Sequence, residues 1–562
     1  MYAFLVVTYN FLQDGHPPHT FAVQFDCGNR VSCLTGTRVD IINEIKEWAD
    51  RRVVISIKSS TSDIRRENSS TDSRIFWING SAGTGKTTVA YTMADYWHKM
   101  GILGASYFCS RDDAACSNPK LIFPSVAYQL GQFNNRFREE VSQVVKSNPE
   151  IGYSSLSNQL ERLIVNPLKI LGESFPSCMV VIDALDECKD NDTTSEILDV
   201  LASHVKELSQ IYFLLTSRPE KEITFQFKSS TLQKKTREFV LHEVPLDIVQ
   251  DDIESYITAK LSETRKKYNL KESWPSKIDV QTLSRLSSGL FIFAATCIKF
   301  IEDRNTDDPR GQLSQLLGST YVNDKSSPHH RLDELYTQVL ETAYPSLSSK
   351  LAGRLKMVLG SIIHLQDSLS AGNLENLLGV DSDHINVRTT LMRLQSVVLV
   401  PKKDGHVIRL LHPSFFNFLT DGSRCRNPKL VLNPRVQHTL LARSCLRVLC
   451  NNLKRNMIGL PNPTTLNTEI EKLPDRIRQS IPPFVQYACR HWSWHLANAN
   501  LSEGLLDLLK AFVSTRLLYW VEVCSLLGEL RSAILALNTT QKALVVSYSL
   551  SIFPNVNFSH FP

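Results

Sequence analysis

Residues 80–87 read Gly80-Ser81-Ala82-Gly83-Thr84-Gly85-Lys86-Thr87, directly behind the apolar run Ile75-Phe76-Trp77-Ile78. This is a P-loop in its expected setting: a buried strand, a glycine-rich turn, then a helix predicted from Thr88 to about Lys99. Backbone N–H groups of the turn and helix start face one concavity and cradle phosphate oxygens. Gly80, Gly83 and Gly85 let the chain curl that tightly. Lys86 is expected to reach the β- and γ-phosphates, and the Thr87 hydroxyl to hold Mg²⁺. Ser81, Ala82, Thr84 and Thr88 complete the expected phosphate-binding set.

Such a loop needs an acidic partner for the metal and the attacking water. Met179-Val180-Val181-Ile182-Asp183 supplies one, an apolar strand with Asp183 at its end. Asp183 is the expected second Mg²⁺ residue. Asp186 and Glu187 follow, and one of them is expected to polarise water; both equally fit a cap for the next helix. The next strand ends Leu214-Leu215-Thr216-Ser217-Arg218-Pro219. Ligands of parallel sheets sit outside the carboxyl ends of the strands. Arg218 is therefore placed to sense a γ-phosphate, with a surface salt bridge as the plainer alternative.

Around this site, residues 74–220 alternate strand-like and helix-like segments, the pattern of a parallel α/β sheet of about five strands. Ile75–Ile78, Ala105–Cys109, Met179–Ile182 and Ile211–Thr216 read as strands, and Phe123–Val141 and Ser157–Leu171 as helices. Beyond Val240 the strands stop. Asp251 and Glu254 look like a helix start. Val397–Val400, a Lys402-Lys403-Asp404-Gly405 turn and Val407–Leu411 predict a hairpin, and with the helices before it a winged helix. The fold class is an α/β P-loop NTPase followed by a helical lid, a winged helix and all-α C-terminal domains. The boundaries read as an unassigned tail (1–35), a helix and linker (36–73), the NTPase (74–235), the lid (236–325), the winged-helix-like domain (326–425) and a helical region (426–562).

Composition narrows the function. The 562 residues are 42% hydrophobic and 21% charged, an ordinary globular balance with length for three or four domains. A net charge of +5 is too small to suggest a polyanionic partner, so no nucleic acid is expected. The 12 cysteines form no C-x-x-C pair and read as reduced thiols. Neither the N-terminal run nor Gly289–Ile301, interrupted by Lys299, is long enough to span a membrane. The expectation is a cytoplasmic chain without a targeting signal. His491 and His495, four apart near Cys489, have zinc-compatible spacing but read as packing beside Trp492 and Trp494. Lys402 and Lys403 read as solvated, not as a DNA contact.

The three motifs together, residues 77–87, Val181-Ile182-Asp183-Ala184-Leu185-Asp186-Glu187-Cys188 and Leu215-Thr216-Ser217-Arg218-Pro219-Glu220, resemble the NACHT domain. The likeness is strongest to fungal NACHT proteins of the STAND class, signalling NTPases of the NOD-like receptor type. Further segments resemble the same proteins, among them Cys33–Arg38, Gly289–Thr296, His412–Leu419 and Tyr487–Trp492. The resemblance implies that Gly36, Thr37 and Arg38 lie near the nucleotide base or ribose. It implies that His412 contacts the β-phosphate of ADP; a histidine satisfied by helix-end backbone is the alternative. It further implies an ATP/ADP and Mg²⁺-dependent signal-transduction switch with slow hydrolase activity. That switch would self-associate in the ATP state and act with an unknown effector or sensor, in non-self recognition or programmed cell death. A metabolic ATPase or kinase, or a nucleotide-binding scaffold without turnover, are the competing readings. The family commonly carries an N-terminal effector domain and C-terminal repeats; their absence here suggests a short form or a truncated gene model.

Overall fold

A computed structural model describes residues 30–58, 73–111, 116–188, 191–303, 306–318, 328–379, 386–401, 405–462 and 465–552. The predicted tail up to residue 29, the linker at 59–72, the polar stretch 319–327 and the Lys402-Lys403-Asp404 turn lie outside them. The chain divides into two compact units, with the boundary between Leu335 and Tyr336.

In chain order the first unit contains α1 (Val39–Lys58), β1 (Ile75–Asn79), α2 (Lys86–Lys99), β2 (Leu103–Phe108), α3 (Ile122–Phe133), α4 (Asn135–Ser147), β3 (Cys178–Asp183), β4 (Ile211–Ser217), β5 (Thr236–Val240), α5 (Leu246–Lys267) and α6 (Phe291–Ile301), among other helices. The strands form one parallel sheet in the order β2-β3-β4-β1-β5. Every residue of β1 is buried, because helices cover both faces. Its side chains alternate. Ile75 and Trp77 enter a core with Ile122, Val126, Leu130, Phe137 and Val141 of α3 and α4. Phe76 and Ile78 enter the opposite core with Ile41, Ile45 and Trp48 of α1 and Val89, Met93 and Trp97 of α2. Each such large side chain stabilises the fold by about 1.5–3 kcal/mol. Register then sets the site: Asn79 pairs with Ser217, and Phe108 with Asp183, so the functional ends of β1, β3 and β4 emerge at one edge.

Local chemistry corrects several sequence expectations. The segment 123–141 is not one helix. Asn134 adopts an extended conformation and accepts from the Phe137 N–H, ending α3 and capping α4. Helix α2 begins at Lys86, two residues before the predicted Thr88, since the left-handed Gly85 (φ 94°) turns the chain directly into it. Helix α5 begins at Leu246, behind Pro245, so Asp251 and Glu254 lie inside it and start nothing. The fifth strand, Thr236–Val240, carries polar residues at a sheet edge and has no apolar run to announce it.

The second unit includes α7 (Ser349–His364), β6 (Val398–Leu399), β7 (Arg409–Leu410), α8 (Pro413–Thr420), α9 (Pro434–Asn452) and α10 (Pro483–Ala497). β6 and β7 pair antiparallel, with Val398 opposite Leu410, on either side of the predicted turn. On α10, Trp492 is fully buried edge-on to Trp520, with ring centroids 5.7 Å apart. His491 and His495 face different partners. His491 Nε2 lies 2.7 Å from Asp367 Oδ2. His495 lies 2.7 Å from the Tyr487 hydroxyl and 3.0 Å from His438 Nδ1. Among the described residues no helix is long and apolar enough to cross a membrane.

Candidate functional site

The glycines of residues 80–87 serve distinct needs. Gly83 (φ 79°) and Gly85 (φ 94°) occupy left-handed conformations that favour glycine. Gly83 has a second constraint: a Cβ there would stand 2.2 Å from Cγ2 of Ile292, in the first turn of α6. The Ile292 N–H also donates to the Gly83 carbonyl at 3.3 Å. Sequence reasoning missed Ile292, because nothing local to either segment signals a contact across such a separation.

Further carbonyls of the loop are engaged too. Lys86 is buried, and its Nζ donates to the carbonyls of Gly80 (2.6 Å) and Ser81 (3.0 Å). The Thr84 hydroxyl donates to the Ser81 carbonyl at 2.9 Å. Arg38 Nη2 donates to the Thr84 carbonyl at 2.7 Å, and the Arg38 guanidinium lies 4.7 Å from the Phe291 ring centroid. Burial lowers the pKa of Lys86, with Asp186 opposing that shift. Ala82 sits between these engaged residues, and Thr87 and Thr88 lie in the first turn of α2.

Asp183 ends β3 and is almost wholly buried. The Thr216 hydroxyl donates to its Oδ1 at 2.5 Å and accepts from the Ala184 N–H at 2.8 Å. Thr216 therefore fixes both the carboxylate and the chain that leaves it, another role absent from the sequence reading. A hydroxyl ending the buried run Phe213-Leu214-Leu215 was the available signal. Burial raises the pKa of Asp183, opposed by Thr216, Arg30, Thr87 and Lys86. Its Oδ2 is buried and meets no hydrogen-bond partner. A buried, orphaned carboxylate oxygen beside the Thr87 hydroxyl fits a hard cation, so Asp183 and Thr87 are the residues that would hold Mg²⁺.

Ala184 takes a left-handed conformation (φ 56°) and turns the chain into the short helical turn Leu185–Glu187. This brings Asp186 against β4. Asp186 Oδ1 accepts from the Arg218 N–H at 2.9 Å, and Oδ2 lies 3.0 Å from Arg218 Nε. Arg218 is thus held by a buried carboxylate instead of a surface one. The Glu187 carboxyl is pushed up to about 7 by burial and by Asp186, against the pull of Arg111 and Arg218. Near neutral pH it is poised between acid and base.

Beside the loop lies a cavity of about 230 Å³ lined by Gly36, Arg38, Asp40, Leu241, Ile248 and Asp252, among others. Arg38 is 6% exposed, yet its Nε meets no acceptor. His412 belongs to the second unit, where it is the N-cap of α8: its Nδ1 accepts from the Ser414 N–H at 3.1 Å.

Three comparisons bear on this site. The family described as Nephrocystin 3, N-terminal, matches residues 58–218. The vegetative incompatibility protein HET-E-1 of Podospora anserina is 23% identical over 507 residues, covering 84% of this chain but only 35% of that protein. The chain therefore spans about a third of that relative's length. Among solved structures, Cdc6p from Pyrobaculum aerophilum overlaps 70% of this chain and 94% of its own at 12% identity and a TM-score of 0.32. The Walker-type ATPase PABY2304 of Pyrococcus abyssi overlaps 69% and 97%, again at 12% identity and 0.32. The family match over residues 58–218, the likeness to HET-E-1 and the parallel sheet ending in Asp183 agree on an α/β P-loop NTPase fold for the first unit.

Proposed function

We propose that the chain is a nucleotide-controlled signalling switch that binds ATP and ADP with Mg²⁺ and hydrolyses ATP slowly. One observation carries this reading. The two cations expected at the phosphates are tied to the protein itself, Lys86 to two loop carbonyls and Arg218 to Asp186. Those bonds use two of the three Lys86 ammonium N–H groups and the Arg218 Nε–H, so a nucleotide would draw on the remaining donors of each. A triphosphate offers Arg218 a γ-phosphate and a diphosphate does not, so the two ligands favour different internal arrangements.

The chain's own residues then divide the work. The α2 N-terminus and the N–H groups of residues 80–87 hold phosphate oxygens. Asp183 and Thr87 hold the metal, which when bound neutralises phosphate charge. Glu187, ionised above about pH 7, takes a proton from the attacking water as the new P–O bond forms and the β–γ bridge breaks. The unsatisfied Arg38 Nε and the adjoining cavity suit the base or ribose. We read the helices and β6–β7 pair of the second unit as a winged helix. The relative's name ties it to vegetative incompatibility, and a comparable non-self response, with a protein effector, is our proposal for this chain.

The test is fluorescent mant-nucleotide binding, together with turnover, on wild type, Lys86→Ala and Asp183→Ala. We expect wild type to bind both nucleotides and turn over slowly, Lys86→Ala to lose binding, and Asp183→Ala to lose the Mg²⁺ dependence. Turnover of tens per second with a small-molecule acceptor would replace the switch with a metabolic enzyme. Undetectable binding by wild type would end the reading.

A further inference from the structure

Arg111 follows β2 at the carboxyl edge of the sheet, where the site lies. Its Nη2 donates to the main-chain carbonyl of Asp186 at 2.9 Å. The turn Leu185–Glu187 closes on other groups: the Glu187 N–H bonds the Ala184 carbonyl at 2.8 Å and the Cys188 N–H bonds the Leu185 carbonyl at 3.3 Å. Arg111 therefore takes a carbonyl that these two bonds do not use. Asp186 is in turn the residue whose carboxylate grips Arg218.

We propose that Arg111 is a positioning residue for hydrolysis: it pins the Asp186–Glu187 turn through the main chain and sets its positive charge against the Glu187 carboxylate. The inference rests on the reading of Glu187 as the group that accepts the water's proton. Among the described residues, the charged and titratable groups acting on or sensing Glu187 include Asp186, Asp183, Arg111, Arg218, Lys86 and the Cys109 thiol. Arg218 and Lys86 are each engaged elsewhere, on Asp186 and on the loop carbonyls. Arg111 is bonded to a neutral carbonyl, so its charge is not neutralised by that bond.

The experiment is single-turnover ATP hydrolysis across pH on wild type, Arg111→Gln, Arg111→Lys and Glu187→Gln. Wild type is expected to gain rate as pH rises through about 7. Arg111→Gln moves that rise to higher pH; a midpoint one pH unit higher costs close to a factor of ten on the acid side. Arg111→Lys keeps the charge and holds the midpoint, with a lower plateau because the planar fork is lost. A second readout needs no nucleotide. A carboxyl whose folded pKa is raised loses stability as pH climbs from its ordinary value of 4.5 towards about 7. Arg111→Gln should widen that loss in thermal melts, and Arg111→Lys should not. An unmoved midpoint and an unchanged melting profile in Arg111→Gln would overturn the proposal, leaving a merely structural tether. A pH-dependent rise that survives in Glu187→Gln would instead refute the Glu187 reading on which it rests.

Discussion

At Gly83 the phosphate-binding loop and helix α6 meet without room for a single added carbon. Its left-handed φ is a local demand, legible from the motif. The 2.2 Å clearance to Ile292 is a tertiary demand and was not legible, since the partner lies far along the chain. Gly83→Ala should therefore lower stability by about 2 kcal/mol or more, from backbone strain and overpacking together. Adding Ile292→Ala should restore the packing share and leave the backbone share. Urea unfolding of the single and double variants measures both; equal losses in the two would remove the packing explanation. The same division runs through the site. Lys86, Thr87 and Asp183 could be nominated from the sequence because each lies in a short local pattern. Thr216 and Arg111 were not, because their roles exist only once β4 and β2 stand beside β3.

Elements were legible in proportion to their burial. Four of the five sheet strands are apolar runs between turn signals, and all four formed where expected. β5 escaped because an edge strand needs only one paired side and can spend its sequence on Arg237 and Glu238. The break at Asn134 escaped because hydrophobic periodicity runs on across it, while a single side-chain acceptor starts a new helix. In the second unit, α7, α9 and α10 share a histidine group whose importance the i,i+4 spacing of His491 and His495 concealed. His438 is pulled down to about 4 by burial and by His364. The sign follows directly. A histidine held neutral in the fold keeps its full stability above its ordinary value of 6.5 and loses it as pH falls towards 4. Thermal melts should show acid destabilisation beginning below about pH 6.5, and His438→Gln should flatten that slope. An unchanged slope would assign the acid sensitivity to other groups.

For the molecule as a whole, the P-loop unit was legible as a class because its three motifs fall on successive strand ends of one parallel sheet. The second unit was legible only as helices and a hairpin, since helical modules carry periodicity but little chemistry. Function belongs to this scale. Lys86 and Arg218 are held internally at one edge of the sheet, and each has further N–H donors with which to meet a nucleotide. A switch of the kind proposed would respond to which nucleotide is bound, because only a ligand that distinguishes two states can shift them. The most direct test is light scattering of the purified chain with Mg²⁺ and ADP, ATP or a non-hydrolysable ATP analogue. A larger assembly is expected with ATP and with the analogue than with ADP, and no growth in Lys86→Ala. One unchanging size for wild type in all three nucleotides would contradict the proposed switch.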